Sequence, residues 1–184
     1  RSTSLSRHQR AHPLLWAQRP LNNESRAVNT ETRILIVTGM SGAGRSTAAN
    51  ALEDHDWYVV DNLPPQMLRP LVDLAEDPDN GMPRLAAVMD GRGGSLFSDA
   101  TDVIVALSQE SNVQVVFLDS TNDVLVRRFE QVRRPHPLQE DGTLLDGIER
   151  ERALMQEIRE RCDLVIDTSE LNTHQLSTAI SGIY

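Results

Sequence analysis

Five short apolar runs recur along this chain: Ile34 to Val37, Trp57 to Val60, Leu85 to Met89, Val113 to Leu118 and Leu164 to Ile166. None alternates apolar with polar residues, so each reads as a strand covered on both faces, the condition met in a parallel sheet. Parallel strands need long crossovers. Helix-like segments supply them at about 46–54, 65–76, 97–109, 121–132 and 146–161, with a sixth at 172–183. In the fifth, the spacing of Ile148, Met155, Ile158 and Cys162 puts all four on one face. The expected fold is therefore α/β, a three-layer sandwich around a five-stranded parallel sheet with right-handed crossovers.

Composition sets the outer limits. A length of 184 residues suits one domain, and 39% hydrophobic residues suffice for a core, which excludes wholesale disorder. Cys162 is the only cysteine, so no disulfide forms within the chain, and a reducing, cytoplasmic setting is expected. No apolar run approaches the ~20 residues of a membrane helix, so no membrane partner is expected. All 18 basic residues are arginine. A lysine Schiff base is thereby excluded, and any motif that usually asks for lysine must use arginine. Residues 1–32 carry five arginines against Glu24 and Glu31 and lack sustained periodicity, so they read as a flexible N-terminal extension to a domain at 33–184. That domain has a net charge of −12, from 13 arginines and 25 acids, which argues against nonspecific nucleic-acid binding.

The most informative motif is Gly39-Met40-Ser41-Gly42-Ala43-Gly44-Arg45-Ser46-Thr47, directly after the first apolar run and directly before a helical segment. It matches the phosphate-binding pattern G-x-x-x-x-G-K-[ST] with arginine in the lysine place. Glycines at 39, 42 and 44 let successive N–H groups turn toward a phosphate chain, and the helix N-terminus adds partial positive charge. The domain is thus expected to be a P-loop NTPase of the kinase-like type. Ser46 would place its hydroxyl on Mg²⁺, and Arg45, as the catalytic cation, would neutralise the β and γ phosphates. The alternative is a glycine-rich turn whose Ser or Thr caps a helix.

Aspartate follows four of the five runs within one residue, at Asp61, Asp90, Asp119 and Asp167. In an open parallel sheet ligands bind beyond the carboxyl ends of the strands, where a metal seeks oxygen ligands. For Asp119 and Asp167 helix capping is the favoured reading. Asp61 opens Asp-Asn-Leu-Pro-Pro, whose prolines fix its direction, and it is assigned as a metal contact or catalytic base. Asp90 opens Asp90-Gly91-Arg92-Gly93, a carboxylate, a cation and glycines able to approach a ligand closely, or a simple turn.

Arg127, Arg128, Arg133 and Arg134 precede Pro135-His136-Pro137-Leu138. Arginines in a proline-punctuated loop after the fourth strand suit a lid over a transferring phosphate. They equally suit a solvated face paired with Glu130 and Glu140. His136 reads as a structural hydrogen bonder or a catalyst. The other histidines show no metal spacing, and Cys162 is assigned no chemistry.

With these stretches in hand the chain resembles the RapZ family, P-loop proteins known as RNase adaptor proteins in some bacteria. The resemblance runs from about Arg33 to Ile183. It rests on residues 39–46, Leu-Glu-Asp at 52–54, Trp-Tyr-Val-Val-Asp-Asn-Leu-Pro at 57–64, Asp-Gly-Arg-Gly at 90–93, Phe-Leu-Asp at 117–119, Arg-Arg-Pro-His-Pro-Leu at 133–138 and Asp-Thr-Ser at 167–169. It implies binding of ATP at 39–46 and of GTP at Asp90 to Gly93, with weak hydrolysis. The family usually has lysine where this chain has Arg45. Its members continue into a C-terminal domain linked to RNA, so RNA contact is not expected from these residues, and a protein partner is. The leading expectation is a regulatory nucleotide-binding module using ATP or GTP with Mg²⁺. The alternative is a small-molecule kinase with Asp61 as base. Base preference and self-association into a homo-oligomer stay open.

Overall fold

The computed structural model describes residues 32–77, 79, 82–89, 97–110 and 112–184, with the backbone alone at 97–99. In chain order these form β1 (Arg33–Gly39), α1 (Arg45–Glu53), β2 (Tyr58–Leu63), a 3₁₀ turn (Pro65–Met67), α2 (Leu68–Glu76), β3 (Arg84–Met89), α3 (Phe97–Leu107), β4 (Val113–Asp119), α4 (Asn122–Val132), α5 (Leu144–Arg161), β5 (Leu164–Asp167) and α6 (Thr173–Ile183). Every apolar run became a strand. All pairings are parallel, in the order β2-β3-β1-β4-β5.

Burial follows that order. The inner strands β1, β3 and β4 are almost wholly buried, which is why their sequences are unbroken apolar runs, whereas the edge strands β2 and β5 stay half-exposed. The chain leaves β1 in one direction to reach β2, and every later crossover runs the other way. Right-handed connections therefore place α1 on one face of the sheet and α2, α3 and α5 on the other. The packing agrees: α1 lies on α6, and α3 lies on both α2 and α5. The reversal of direction leaves a crevice at the carboxyl ends of β1 and β4, where this topology binds ligands.

Two helices start on reciprocal caps. Thr143 accepts from the Asp146 N–H while Asp146 accepts from the Thr143 N–H, and Asn172 and Gln175 repeat the arrangement. Each pair satisfies two otherwise orphaned donors and fixes where its helix begins. For α5 that start determines which side chains face the crevice. Among the described residues no helix is long and apolar enough to cross a membrane.

Candidate functional site

The glycine loop leaves the sheet along the seam between β1 and β4. Gly39 has φ +143°, and a Cβ there would lie 2.1 Å from the Leu118 carbonyl oxygen of β4. Met40 N–H donates to that same oxygen at 3.0 Å. Only glycine allows so close a crossing. At the far end Gly44, with φ +102°, is the N-cap of α1 and brings no capping side chain. The first-turn donors are left over as a consequence. Ser41 and Ala43 N–H groups bond within the protein, but among the described residues those of Gly42, Gly44, Ser46 and Thr47 donate to no protein acceptor.

These residues line one wall of a cavity of about 430 Å³ that includes Ser41, Gly42, Gly44, Arg45, Ser46 and Thr47. Unclaimed amides at a helix N-terminus favour an anion. Ser46 is exposed there. Arg45 reaches across the sheet end and donates from Nη1 to the Met89 carbonyl oxygen at 2.6 Å. Its guanidinium thereby links the glycine loop to the end of β3, the residue before Asp90. Asp90, Gly91, Arg92 and Gly93 themselves lie outside the described residues. Asp61 is not among the residues lining the cavity. It sits exposed on the edge strand β2, where its carboxylate accepts the Asn62 N–H at 2.7 Å, beside a register shift and the positive φ of Asn62.

The opposite wall comes from α4 and the loop after it, through Arg128, Phe129, Val132, Arg134, Pro135 and Pro137. Arg128 is not on a solvated face. It donates to the carbonyl of Gly42 at 3.0 Å, and to the hydroxyl and carbonyl of Thr168 at 3.0 and 2.6 Å, bracing the glycine loop against the β5–α6 turn. Burial lowers the affinity of its guanidinium for its proton, and the Asp167 carboxylate partly opposes this. Arg134 is exposed at the cavity rim, and Glu140 pairs with Arg150 at 3.1 Å.

A buried carboxylate under the loop escaped sequence reading. Glu151 of α5, 1% exposed, accepts from Ser41 N–H at 3.0 and 3.1 Å and from Ser41 Oγ–H at 2.7 Å. On its other side His136 Nε2 lies 2.9 Å from Glu151 Oε2. Leu138 N–H donates to His136 Nδ1 at 3.1 Å, so the ring proton sits on Nε2 and is donated to the carboxylate. His136 is itself buried, against the Phe129 ring at 5.0 Å. The sequence does carry a signal. Positions 148, 151, 155 and 158 fall at core spacing, and the acid among Ile148, Met155 and Ile158 implies a partner in the interior.

Two aspartates read as helix caps serve otherwise. The N-cap of α4 is Thr121, and Asp119 instead receives Arg152 Nη1 and Arg159 Nε, each at 2.8 Å, with Ser120 N–H at 2.8 Å. Burial would raise its pKa, but the two guanidiniums and the amide outweigh that and hold it below the usual value. Asp167 accepts from Ser169 N–H and Oγ–H in a turn, while Asn172 caps α6. Cys162 ends the apolar stripe of α5 half-buried at the helix C-cap, donating to the Arg159 carbonyl, and burial raises its thiol to about 11. Among the described residues no three His, Cys, Asp or Glu side chains gather as a metal cage.

A central-strand glycine loop feeding a helix, in a parallel sheet of this order, defines an α/β domain of the P-loop kinase type. Solved structures agree on the fold: shikimate kinase from Acinetobacter baumannii (TM-score 0.56, 13% identity, covering 83% of this chain and 92% of that one) and a gluconokinase from Sinorhizobium meliloti (TM-score 0.51, 13% identity, 82% and 90%). The family described as RapZ-like N-terminal domain matches residues 32–184, and the chain belongs to it. Relatives include a nucleotide-binding protein of Leifsonia xyli subsp. xyli, 62% identical over 154 residues, and one of Clavibacter michiganensis, 64% identical over 148. The matches cover 84% and 80% of this chain but 52% and 51% of those proteins, so the chain spans about half the length of the curated relatives it matches.

Proposed function

We propose that residues 33–184 bind ATP or GTP through the 39–47 loop, with Mg²⁺ accompanying the phosphates, and hydrolyse the nucleotide slowly as a regulatory module. The observation that carries this reading is the set of unclaimed N–H groups at Gly42, Gly44, Ser46 and Thr47 beside the cavity. The relatives' name, nucleotide-binding protein, favours the same class of ligand. Mg²⁺ fits the donor set as a guest of the phosphates. The exposed Ser46 hydroxyl offers one oxygen, and the described residues form no cage that would hold a divalent ion alone. Arg45 would meet the phosphates as the loop's cation, and Asp61 and the Asp90 to Gly93 stretch would contribute metal and second-nucleotide contacts. The unit would act in the cytoplasm, beside a C-terminal domain of the kind its relatives' extra length leaves room for, and signal its occupancy to a protein partner rather than to RNA.

A small-molecule kinase is the rival, favoured by the fold it shares with shikimate kinase and gluconokinase. Asp61, the base of that reading and the metal contact of the first, does not line the cavity with the loop, so it does not discriminate between them. Calorimetry with a nonhydrolysable triphosphate, with and without Mg²⁺, tests binding. A panel of metabolite acceptors then separates the two readings: acceleration of ATP consumption by a hundredfold or more, with a phosphorylated product, would establish the kinase.

A further inference from the structure

The cavity has two walls that belong to different parts of the chain, the glycine loop before α1 and the Arg134 to Pro137 stretch before α5. One side chain holds both. Glu151 takes the Ser41 Oγ–H on Oε1 and the His136 Nε2–H on Oε2, with the Ser41 N–H shared between the two oxygens. We propose that Glu151 is a positioning residue that fixes the glycine loop and the 134–137 wall in one arrangement, so that the two walls present a single site to a nucleotide. This rests on the reading of the cavity as a triphosphate site.

Three features support the assignment. The first is that α5 is built to receive the wall. A Cβ on Gly147 would lie 2.8 Å from His136 Nδ1 and 2.9 Å from the Gln139 backbone, so glycine there, one turn before Glu151, lets the segment lie against the helix. A second is that the bonding needs an acceptor on both sides. With His136 Nδ1 committed to Leu138 N–H, its Nε2 can only donate, and it does so to Oε2, while Ser41 Oγ–H donates to Oε1 at 2.7 Å and Ser41 N–H is shared between Oε1 and Oε2 at 3.1 and 3.0 Å. A carboxylate accepts from all three donors, whereas a glutamine amide of the same shape keeps one acceptor oxygen, so either its NH₂ faces His136 Nε2–H or the Ser41 hydroxyl gives up its donated bond and turns to accept. Thirdly, His136 lies between Pro135 and Pro137, both cavity residues, so its bond to Glu151 sets where they stand. Glu151 itself does not line the cavity, which separates positioning from ligand contact.

Two probes read the two walls separately. Tripolyphosphate needs the glycine loop alone, and a nonhydrolysable triphosphate nucleotide spans both walls. Binding of each is measured by calorimetry on the whole chain, with folding checked by circular dichroism. Glu151→Gln is expected to weaken both ligands by about tenfold or more, the size of one misplaced hydrogen bond to a charged group. Ser41→Ala, which removes the Oγ–H bond at the loop end but leaves the residue-41 N–H on Glu151, should weaken the two in parallel and by less than Glu151→Gln. His136→Phe, which keeps a ring against Phe129 but drops the bond, should weaken the nucleotide at least fivefold more than tripolyphosphate. The double variant Glu151→Gln, His136→Gln restores an acceptor for the new amide and should recover part of the loss. If Glu151→Gln does not fold, the contrast between Ser41→Ala and His136→Phe decides alone. Equal profiles for those two, or wild-type affinities throughout, overturn the positioning role. If the unaltered protein binds neither probe, it is the triphosphate reading of the cavity that fails, and the inference goes with it.

Discussion

Substituting Gly44 by alanine strikes the loop where its backbone is most particular. With φ +102° and ψ 23° the residue lies beyond the left-handed region that side chains tolerate, a strain on the order of 1–3 kcal/mol for a non-glycine residue. The new Cβ would also fall 2.5 Å from Leu176 Cδ2, the end of a flexible side chain in α6, which can turn aside for roughly 0.5–1.5 kcal/mol. Together these give a loss of about 2–4 kcal/mol, less than the ~5–15 kcal/mol that holds a typical domain together, so the variant should stay folded. At roughly 2–4 °C per kcal/mol for a domain of this size, the melting temperature should drop by about 5–15 °C. Displacing the N-cap misdirects at least one N–H meant for a charged acceptor, worth about 1.5–3 kcal/mol, so triphosphate affinity should fall roughly 10- to 150-fold. Gly182→Ala is the control. It sits exposed in α6 with nothing within 4 Å of a new Cβ, and alanine there should add up to about 1 kcal/mol while leaving binding alone. Calorimetric titration with a nonhydrolysable triphosphate, paired with thermal denaturation, reads both effects. A folded Gly44→Ala protein that binds like the wild type would refute the role given to the loop backbone.

Other expectations follow from single contacts. Arg45→Lys restores a compact cation and should keep or raise the rate of phosphate release, whereas Arg45→Ala should weaken triphosphate binding, both measured on the purified chain; unaltered binding by the alanine variant removes Arg45 from the site. Asp119→Asn leaves Arg152 and Arg159 without their carboxylate; since those guanidiniums are partly exposed, the loss in urea denaturation at pH 7 should be about 1–3 kcal/mol rather than the full cost of breaking a buried pair. Because the folded pKa of Asp119 is lowered, its contribution is complete above the unfolded value of ~3.9 and disappears as pH falls through the folded value, so the two proteins should converge in strongly acidic solution. Cys162, with its thiol pushed up to about 11, should react slowly with iodoacetamide at pH 7.5 in the folded protein and faster once unfolded; rapid native-state labelling would contradict its half-buried place.

The sheet was legible because its inner strands are buried on both faces, leaving unbroken runs such as Leu85 to Met89 and Val113 to Leu118. The edges were harder to read. Strand β2 extends to Leu63, beyond the run that ended at Val60, because an edge strand tolerates the polar Asp61 and Asn62 and a break in register. At the site, the glycine spacing revealed the loop, since the positive φ values of Gly39, Gly42 and Gly44 are demands of the local backbone, although Gly39 also answers the close approach of Leu118 from β4. Long-range bonds left a weaker trace. Arg128 and Glu151 act on residues 86 and 110 positions away, at Gly42 and Ser41, and no local pattern predicts such a meeting. Asp119 misled for a similar reason, because strand-end aspartate before Ser-Thr-Asn looks like a cap until α5 brings Arg152 and Arg159 to it.

The central claim is that the backbone of the 39–47 loop receives an anion, and amide chemical shifts report on that directly. In a ¹⁵N-labelled sample titrated with a nonhydrolysable triphosphate and Mg²⁺, the Gly42, Gly44, Ser46 and Thr47 signals should move together and saturate with one dissociation constant. Saturating shifts that leave these four amides in place and gather elsewhere would contradict the account.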